Sequence, residues 1–290
     1  SLVADTAQYT YDWGTFDPQM AAYGVSDFDT LETVPSALRT ALPEAVQDSA
    51  IRLPPLPGVQ QELDAVQSSF SDTRTALNDD ATERAFCRDA QRAGILHIAS
   101  HAFVSSSSPL QNAILLRPGS GGGRGNGERP SPTSSSDGVL FLHELQGQQS
   151  QIPLVVLSGC STAKGTLRGG EGMEGLQYAF RAMGAQSTLS TLWPVADDAS
   201  VELMESFYQH LAEGLPKDEA LRQAQLSYLD NHPQKASPFF WAPPVLYGSP
   251  SSLPLESRLL PAWAWWGLGV LGVAGLVLLV WYRRTLSRSA

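Results

Sequence analysis

The sequence predicts an α/β fold built on a largely parallel sheet, and three observations predict it. Two near-continuous apolar runs, Ile95–Ser100 (ILHIAS) and Leu154–Ser158 (LVVLS), lack the alternation of a half-exposed strand and suit strands covered on both faces. Between Gly170 and Gly184, Met173, Leu176, Ala179, Phe180 and Met183 share one face of a helix. A third strand, Ser187–Trp193, follows that helix. Strand, helix, strand in this order implies a crossover connection and parallel pairing.

The remaining elements follow along the chain. Residues 1–49 are a weakly patterned N-terminal part of the domain, in which Ala21–Phe28 reads as an opening strand and 29–52 carries no assignable pattern. The segment ATERAFCRDA is helical and places Cys87 as a packing residue. Residues 119–137 (GSGGGRGNGERPSPTSSSD) are of low complexity, cannot bury a core and read as a mobile loop. Asp197 or Asp198 is positioned to cap a helix running to about Ala212, with Gly214 as its stop. A further helix spans Lys217–Leu229, and Val245–Tyr247 is the last strand. No internal repeat is present.

At 290 residues, 42% hydrophobic and 17% charged, the chain suffices for one large domain plus an appendage. The net charge is −10, and setting aside the last thirty residues leaves 16 basic against 29 acidic side chains, a net −13. An acidic body repels phosphate backbones, which argues against nucleic acid as a partner. With only Cys87 and Cys160, neither a disulfide scaffold nor a paired-ligand zinc site is expected. The first residue is Ser1 rather than Met, as in a fragment or a processed product.

After a Pro- and Ser-rich linker at 249–260, a transmembrane helix is expected over 261–282. Ala262–Tyr282 holds 21 residues without a charge, about 30 Å of helix, the thickness of a bilayer's hydrocarbon. Trp263, Trp265 and Trp266 at one end, and Trp281 and Tyr282 at the other, match interfacial aromatic belts. Arg283, Arg284 and Arg288 in the short basic tail, 283–290, place that tail in the cytoplasm and the domain across the membrane. In a bacterial inner membrane the domain would be periplasmic; insertion as a tail-anchored protein, the other way round, stays open.

Functional groups in open α/β sheets gather at the carboxyl ends of strands. His101 follows the strand 95–100 and Cys160 follows the strand 154–158. If those strands are neighbours, the two side chains meet despite 59 residues of separation. An adjacent imidazole makes the thiolate accessible at neutral pH and can protonate a departing amine. Ser158, Gly159 and Ser161 are small enough for a substrate backbone to approach, and amides near Gly159 could hold an oxyanion. Taken alone, a cysteine after a strand is more often an inert buried thiol, and a lone histidine there is usually a structural one.

The ordered motifs ILHIASHAF, LVVLSGCST, GGEGMEGLQYAFRAMGAQSTLSTLWPVADDASVELMESFYQHLAEG, EALRQAQ and FFWAPPVLYG resemble the CHAT domain. This is a caspase- and separase-like peptidase domain often found beside tetratricopeptide repeats. With LPPLPGVQQELDAVQ and DDATERAF, the resemblance covers about residues 50–248. It implies a three-layer caspase-like fold with a largely parallel sheet, and a dyad of His101 as general base and acid with Cys160 as nucleophile. It names no third catalytic residue and no cofactor. Where the family has glycine after the histidine, this chain has Ala102, whose amide would face the oxyanion together with that of Gly159. WPVADD is similar to the separase Trp-x-Val-Thr-Asp stretch. The likeness implies Asp197, with Asp198 beside it, as the pocket for an Arg or Lys preceding the cut bond. Asp197 as a plain helix cap is the competing reading.

His97, Ala99 and His101 share a strand face, but H-x-x-x-H here lacks the Glu of the helical metalloprotease motif, since position 98 is Ile98; no metal is expected. Glu171, in the turn Gly169–Gly172, reads as a first-turn helix residue stabilised by the dipole. That turn lacks the Lys and Ser/Thr of a phosphate-binding loop. His143, His210 and His232 show no partner in the sequence.

The expected function is thus a membrane-anchored cysteine endopeptidase acting on a protein or peptide through an acyl-enzyme, after Arg or Lys. Arg117, Arg124 and Arg129 offer cut sites in or beside the loop 119–137 for autoprocessing. Upstream repeats would be the partner-sensing region by resemblance. The competing class is a membrane-anchored scaffold or signalling module that kept the fold and lost the activity; acyl transfer to a small molecule by the same dyad is a third.

Overall fold

The computed structural model describes residues 16, 19–28, 53, 55–103, 112–119, 137–145, 150–158, 171–193 and 196–253. Contacts divide the chain into Ser1–Leu255 and Glu256–Ala290, and the second unit, with the expected transmembrane helix 261–282, lies outside the described residues. Among the described residues no helix is long and apolar enough to cross a membrane.

Strand β1 (Met20–Gly24) is followed by helix α1 (Val59–Ser69), β2 (Thr73–Leu77), a 3-10 turn at Asn78–Asp80, α2 (Glu83–Asp89) and β3 (Ile95–Ala99). Next come β4 (Ala102–Phe103), β5 (Ala113–Leu115), β6 (Val139–Phe141), the short α3 (Leu142–Leu145) and β7 (Leu154–Ser158). The chain continues through α4 (Glu171–Met183), β8 (Ser187–Thr191), α5 (Asp197–Ala212), α6 (Lys217–Asn231), α7 (Pro238–Trp241) and β9 (Pro244–Gly248). The central sheet has the order β2-β1-β3-β7-β8-β9, parallel throughout except for β9. A separate three-stranded antiparallel sheet, β4-β5-β6, was not anticipated.

Parallel in-register pairing turns Ala22, His97 and Val156 to one side of the sheet and Tyr23, Ile98 and Leu157 to the other. On the first side α1 comes so close that a Cβ at Gly24 would stand 2.4 Å from Val59. Helix α5 lies against α1 and buries Leu203, Met204, Phe207, Tyr208 and Leu211. On the second side the Tyr23 hydroxyl reaches α2, and Gln177 of α4 donates a hydrogen bond to Ser190 of β8. The result is a three-layer helix–sheet–helix sandwich. Each large apolar side chain withdrawn from water in it, such as Phe86, Phe180 or Phe207, is worth on the order of 2 kcal/mol.

The expected strands match closely: β3 and β7 occupy the two apolar runs, and α4 fills the 170–184 pattern. The opening strand is shorter than 21–28, because after Gly24 the chain becomes a loop over the sheet edge. Helix α5 begins differently: Ala196 holds the cap position with no side-chain cap bond, and Asp197 is the first helical residue. In its first turn Asp198 accepts from the Ala199 N–H (2.9 Å) and pairs with Lys235 (2.7 Å). Gly214 is the stop, with φ +90, which glycine adopts without strain.

Two buried ionic features of the second side matter for stability. Asp89, fully buried on α2, accepts hydrogen bonds from Arg74 (2.6 Å), Arg88 (2.7 Å) and the Tyr23 hydroxyl. Burial alone would raise its pKa, but these donors hold the carboxyl below its ordinary value. Glu83, also on α2, is buried, and desolvation, then the charges of Glu144 and Asp137, push it up to about 8. It is therefore protonated when folded at neutral pH but ionised when unfolded. Its contribution to stability is whole below the ordinary carboxylate pKa and is lost as pH rises toward 8. Glu83→Gln should consequently be more stable than the wild type by about 2 kcal/mol at pH 7, with no gain at pH 4. Urea midpoints at the two pH values test this, and an equal effect at both would refute it.

At the other edge, the chain leaving β9 is held by the start of α6. The Lys217 backbone N–H donates to Pro250 O (2.9 Å), its buried ammonium donates to Ser249 O (3.3 Å), and Ser249 N–H donates to Gln186 O (3.0 Å). Burial pushes the Lys217 amine down to about 8.

Candidate active site

Strands β3 and β7 are neighbours in the sheet, with Ala99 opposite Ser158. His101 stands two residues beyond Ala99, and Cys160 stands two residues beyond Ser158 in the sequence. Gly159 and Cys160 lie outside the described residues, so the structure reports the histidine side of the pair.

His101 is fully buried. Its carbonyl accepts from Leu115 N–H (2.9 Å), and the preceding Ser100 hydroxyl donates to Leu115 O. The His101–Leu115 pair is thus the hydrogen-bonded one, and antiparallel alternation turns the N–H of Ala102, paired with Ile114, away from β5. The amide expected to face an oxyanion is therefore not used in that ladder. The imidazole packs against Phe28, centroids 4.6 Å apart and planes at 50°. Phe28 sits on the loop after β1, where Val25 N–H extends the ladder by donating to Ala99 O (3.0 Å).

That loop is fastened twice more. Asn78, in the left-handed region at φ 47, accepts through Oδ1 from Ser26 N–H (2.9 Å) and Asp27 N–H (3.3 Å). Asparagine tolerates this backbone better than most residues. Arg117 donates from Nη2 to Asp27 O (2.6 Å) and is 6% exposed. Its burial removes Arg117 from the expected autoprocessing sites, since a protease needs an extended, accessible segment; Arg124 and Arg129 lie outside the described residues. Phe28, Asn78 and Arg117 had no signal in the sequence, because each acts through tertiary contacts of loop residues.

Of the two aspartates, Asp198 is exposed and paired with Lys235 (2.7 Å), whose ammonium holds its carboxyl below the ordinary value. Asp197 opens α5; the side chain is outside what the structure describes. The first turn of α5 meets the end of β7 through Ser158 and Ser200, hydroxyl to hydroxyl at 3.4 Å. Glu171 begins α4, the position expected for it.

His97 does not join His101. It points to the α1–α5 side, its Nδ1 2.7 Å from the Tyr208 hydroxyl and its Nε2 3.8 Å from Glu62. Burial pushes its pKa down to about 3, so it is neutral. Among the described residues no three His, Cys, Asp or Glu side chains converge to hold a metal ion. Cys87 is a half-buried thiol packed against the core. The other histidines have partners that the sequence did not show: His143 stacks on Phe141, His210 pairs with Glu213, and His232 pairs with Glu202.

With this geometry in place, comparison with known proteins settles the family. The CHAT domain model matches residues 11–249, farther toward the N-terminus than the motifs alone reach. The chain belongs to the CHAT domain family. Tetratricopeptide repeat protein 28 of Mus musculus and that of Homo sapiens are each 34% identical to this CHAT chain over 126 residues. The match takes in 42% of this chain and 5% of either relative, so the chain spans a small part of their length. Among solved structures, the Arg-specific cysteine proteinase gingipain R covers 82% of the chain at 8% identity, with a TM-score of 0.46 and 48% of that protein covered. A complex of the RgpB pro- and mature domains of Porphyromonas gingivalis gives a TM-score of 0.45 at 8% identity, covering 82% of this chain and 49% of that one.

Proposed function

We propose that this CHAT domain is a cysteine endopeptidase in which the His101 imidazole takes the proton of the Cys160 thiol. The thiolate attacks a peptide carbonyl, the amides of Ala102 and Gly159 bind the oxyanion, and the imidazole returns its proton to the departing amine. Water then hydrolyses the acyl-enzyme. No metal or cofactor enters these steps. The observation that carries the reading is the pairing of Ala99 with Ser158 on adjacent parallel strands, from which His101 and Cys160 each follow after the same two residues. The Ala102 amide, turned away from β5 and so unused in that ladder, supports it. We assign specificity for Arg or Lys before the cut bond to Asp197, because Asp198 is already paired with Lys235. The uncharged stretch 262–282 anchors the domain to a membrane with the basic tail on the cytoplasmic side. Repeats on a longer chain would supply the regulatory partner, as the tetratricopeptide relatives suggest.

The burial of His101 favours one competing reading, a membrane-anchored scaffold of the same fold without activity. A peptide-library cleavage profile separates the two. The peptidase cuts after Arg or Lys, Cys160→Ala abolishes cutting, and Asp197→Ala loses the basic preference while Asp198→Ala keeps it. No cleavage by the wild type, together with equal and slow alkylation of Cys87 and Cys160 by iodoacetamide, would establish the scaffold instead.

A further inference from the structure

Resting on that reading, we propose that Phe28 is a positioning residue for the general base: its ring, carried by the latched loop 25–28, fixes the orientation of the His101 imidazole. A catalytic imidazole works only when its nitrogens are aimed, and the last torsion of histidine is soft enough that something must restrain the ring. Phe28 lies 4.6 Å from the His101 ring and is itself buried. A phenyl group on a loose loop would restrain nothing, but this loop is tied at every residue before Phe28. Val25 is bound to Ala99, Ser26 to Asn78, and Asp27 to both Asn78 and Arg117.

The ties form a closed circuit around the histidine. Leu115 binds the His101 carbonyl, and two residues later on the same segment Arg117 grips the Asp27 carbonyl, next to Phe28. One stretch of chain thus holds the backbone of His101 and also holds the loop whose ring leans on its imidazole. A shift of either end moves both, so the base and its restraint stay in register.

The test uses the full chain and a Cys160-dependent peptide assay. Phe28→Leu, which keeps an apolar side chain, should lower kcat about 10- to 100-fold with KM nearly unchanged. Arg117→Gln should lower kcat in the same sense, and the double variant should lose little more than Phe28→Leu alone, because both act on one restraint. In parallel, nitrogen NMR of labelled histidine should show the His101 ring signals in Phe28→Leu broadened or averaged between tautomers, while those of His97 are unmoved. Unchanged kcat together with unchanged His101 signals overturns the proposal, as does full additivity of the two substitutions. If every variant including the wild type fails to cut peptide while the His101 signals still respond to Phe28→Leu, the restraint stands and the peptidase reading falls.

Discussion

His101→Ala should lower kcat/KM for peptide cleavage by about a thousandfold, because it removes both the group that generates the thiolate and the acid that protonates the leaving amine. The same change should slow alkylation of Cys160 to the rate of Cys87, an ordinary half-buried thiol in the helix α2. Since His101 is buried beside Phe28, His101→Gln serves as the control: it fills the space and makes hydrogen bonds but cannot act as a base near neutral pH. Both variants should be equally inactive, and His101→Gln should melt near the wild type. A loss below tenfold in either would show that the imidazole is not the base.

Asp89→Ala should be among the most destabilising single substitutions outside the apolar core, by about 2–3 kcal/mol. Its carboxylate is wholly buried and satisfies Arg74, Arg88 and Tyr23 at once. Removing it leaves the buried Tyr23 hydroxyl only the Ala85 carbonyl as partner, while Arg74 and Arg88, both about half exposed, lose their charge-assisted bonds and turn to water. Tyr23→Phe removes one donor and should cost about 1 kcal/mol. The pH dependence follows from the lowered pKa: the stabilisation is present above the ordinary carboxylate range and is lost as the solution becomes more acidic. The margin of wild type over Asp89→Asn should therefore be constant above the ordinary carboxylate range and shrink steadily as the pH falls below it. Parallel profiles across that range would refute the ionic account. The sign is opposite to that of Glu83, on the same short helix, whose carboxyl is held neutral by burial and by Glu144 and Asp137.

What was legible in the sequence was whatever the middle of the sheet dictates. Strands β3 and β7 are covered on both faces, so their residues are apolar almost without interruption and announce themselves. The amphipathic helix α4 does the same through its period. Strand β2 (TRTAL) was missed because it lies on the sheet edge and is partly exposed on both faces, which removes the pattern. The β4-β5-β6 sheet was missed because two- and three-residue strands are too short to show any period. At the site, His101 and its place after a strand could be read directly. The ring that leans on it could not, since Phe28 reaches it from the loop after β1, a neighbouring strand laid down far earlier in the chain. The pairing of Asp198 with Lys235 was equally invisible: the two are 37 residues apart and meet only because α5 and the turn after α6 are packed together.

The way the chain leaves β9 has a mechanical consequence. Tension applied beyond Leu253 would first meet the links from Lys217 and Gln186 to Ser249 and Pro250, ahead of the outermost rung of the β8–β9 ladder at Ser187 and Gly248. Those links behave as a strain relief, like the grip where a cable enters its housing. A tug on the tail would be spent there, several strands away from the histidine, before it could distort the sheet that carries it.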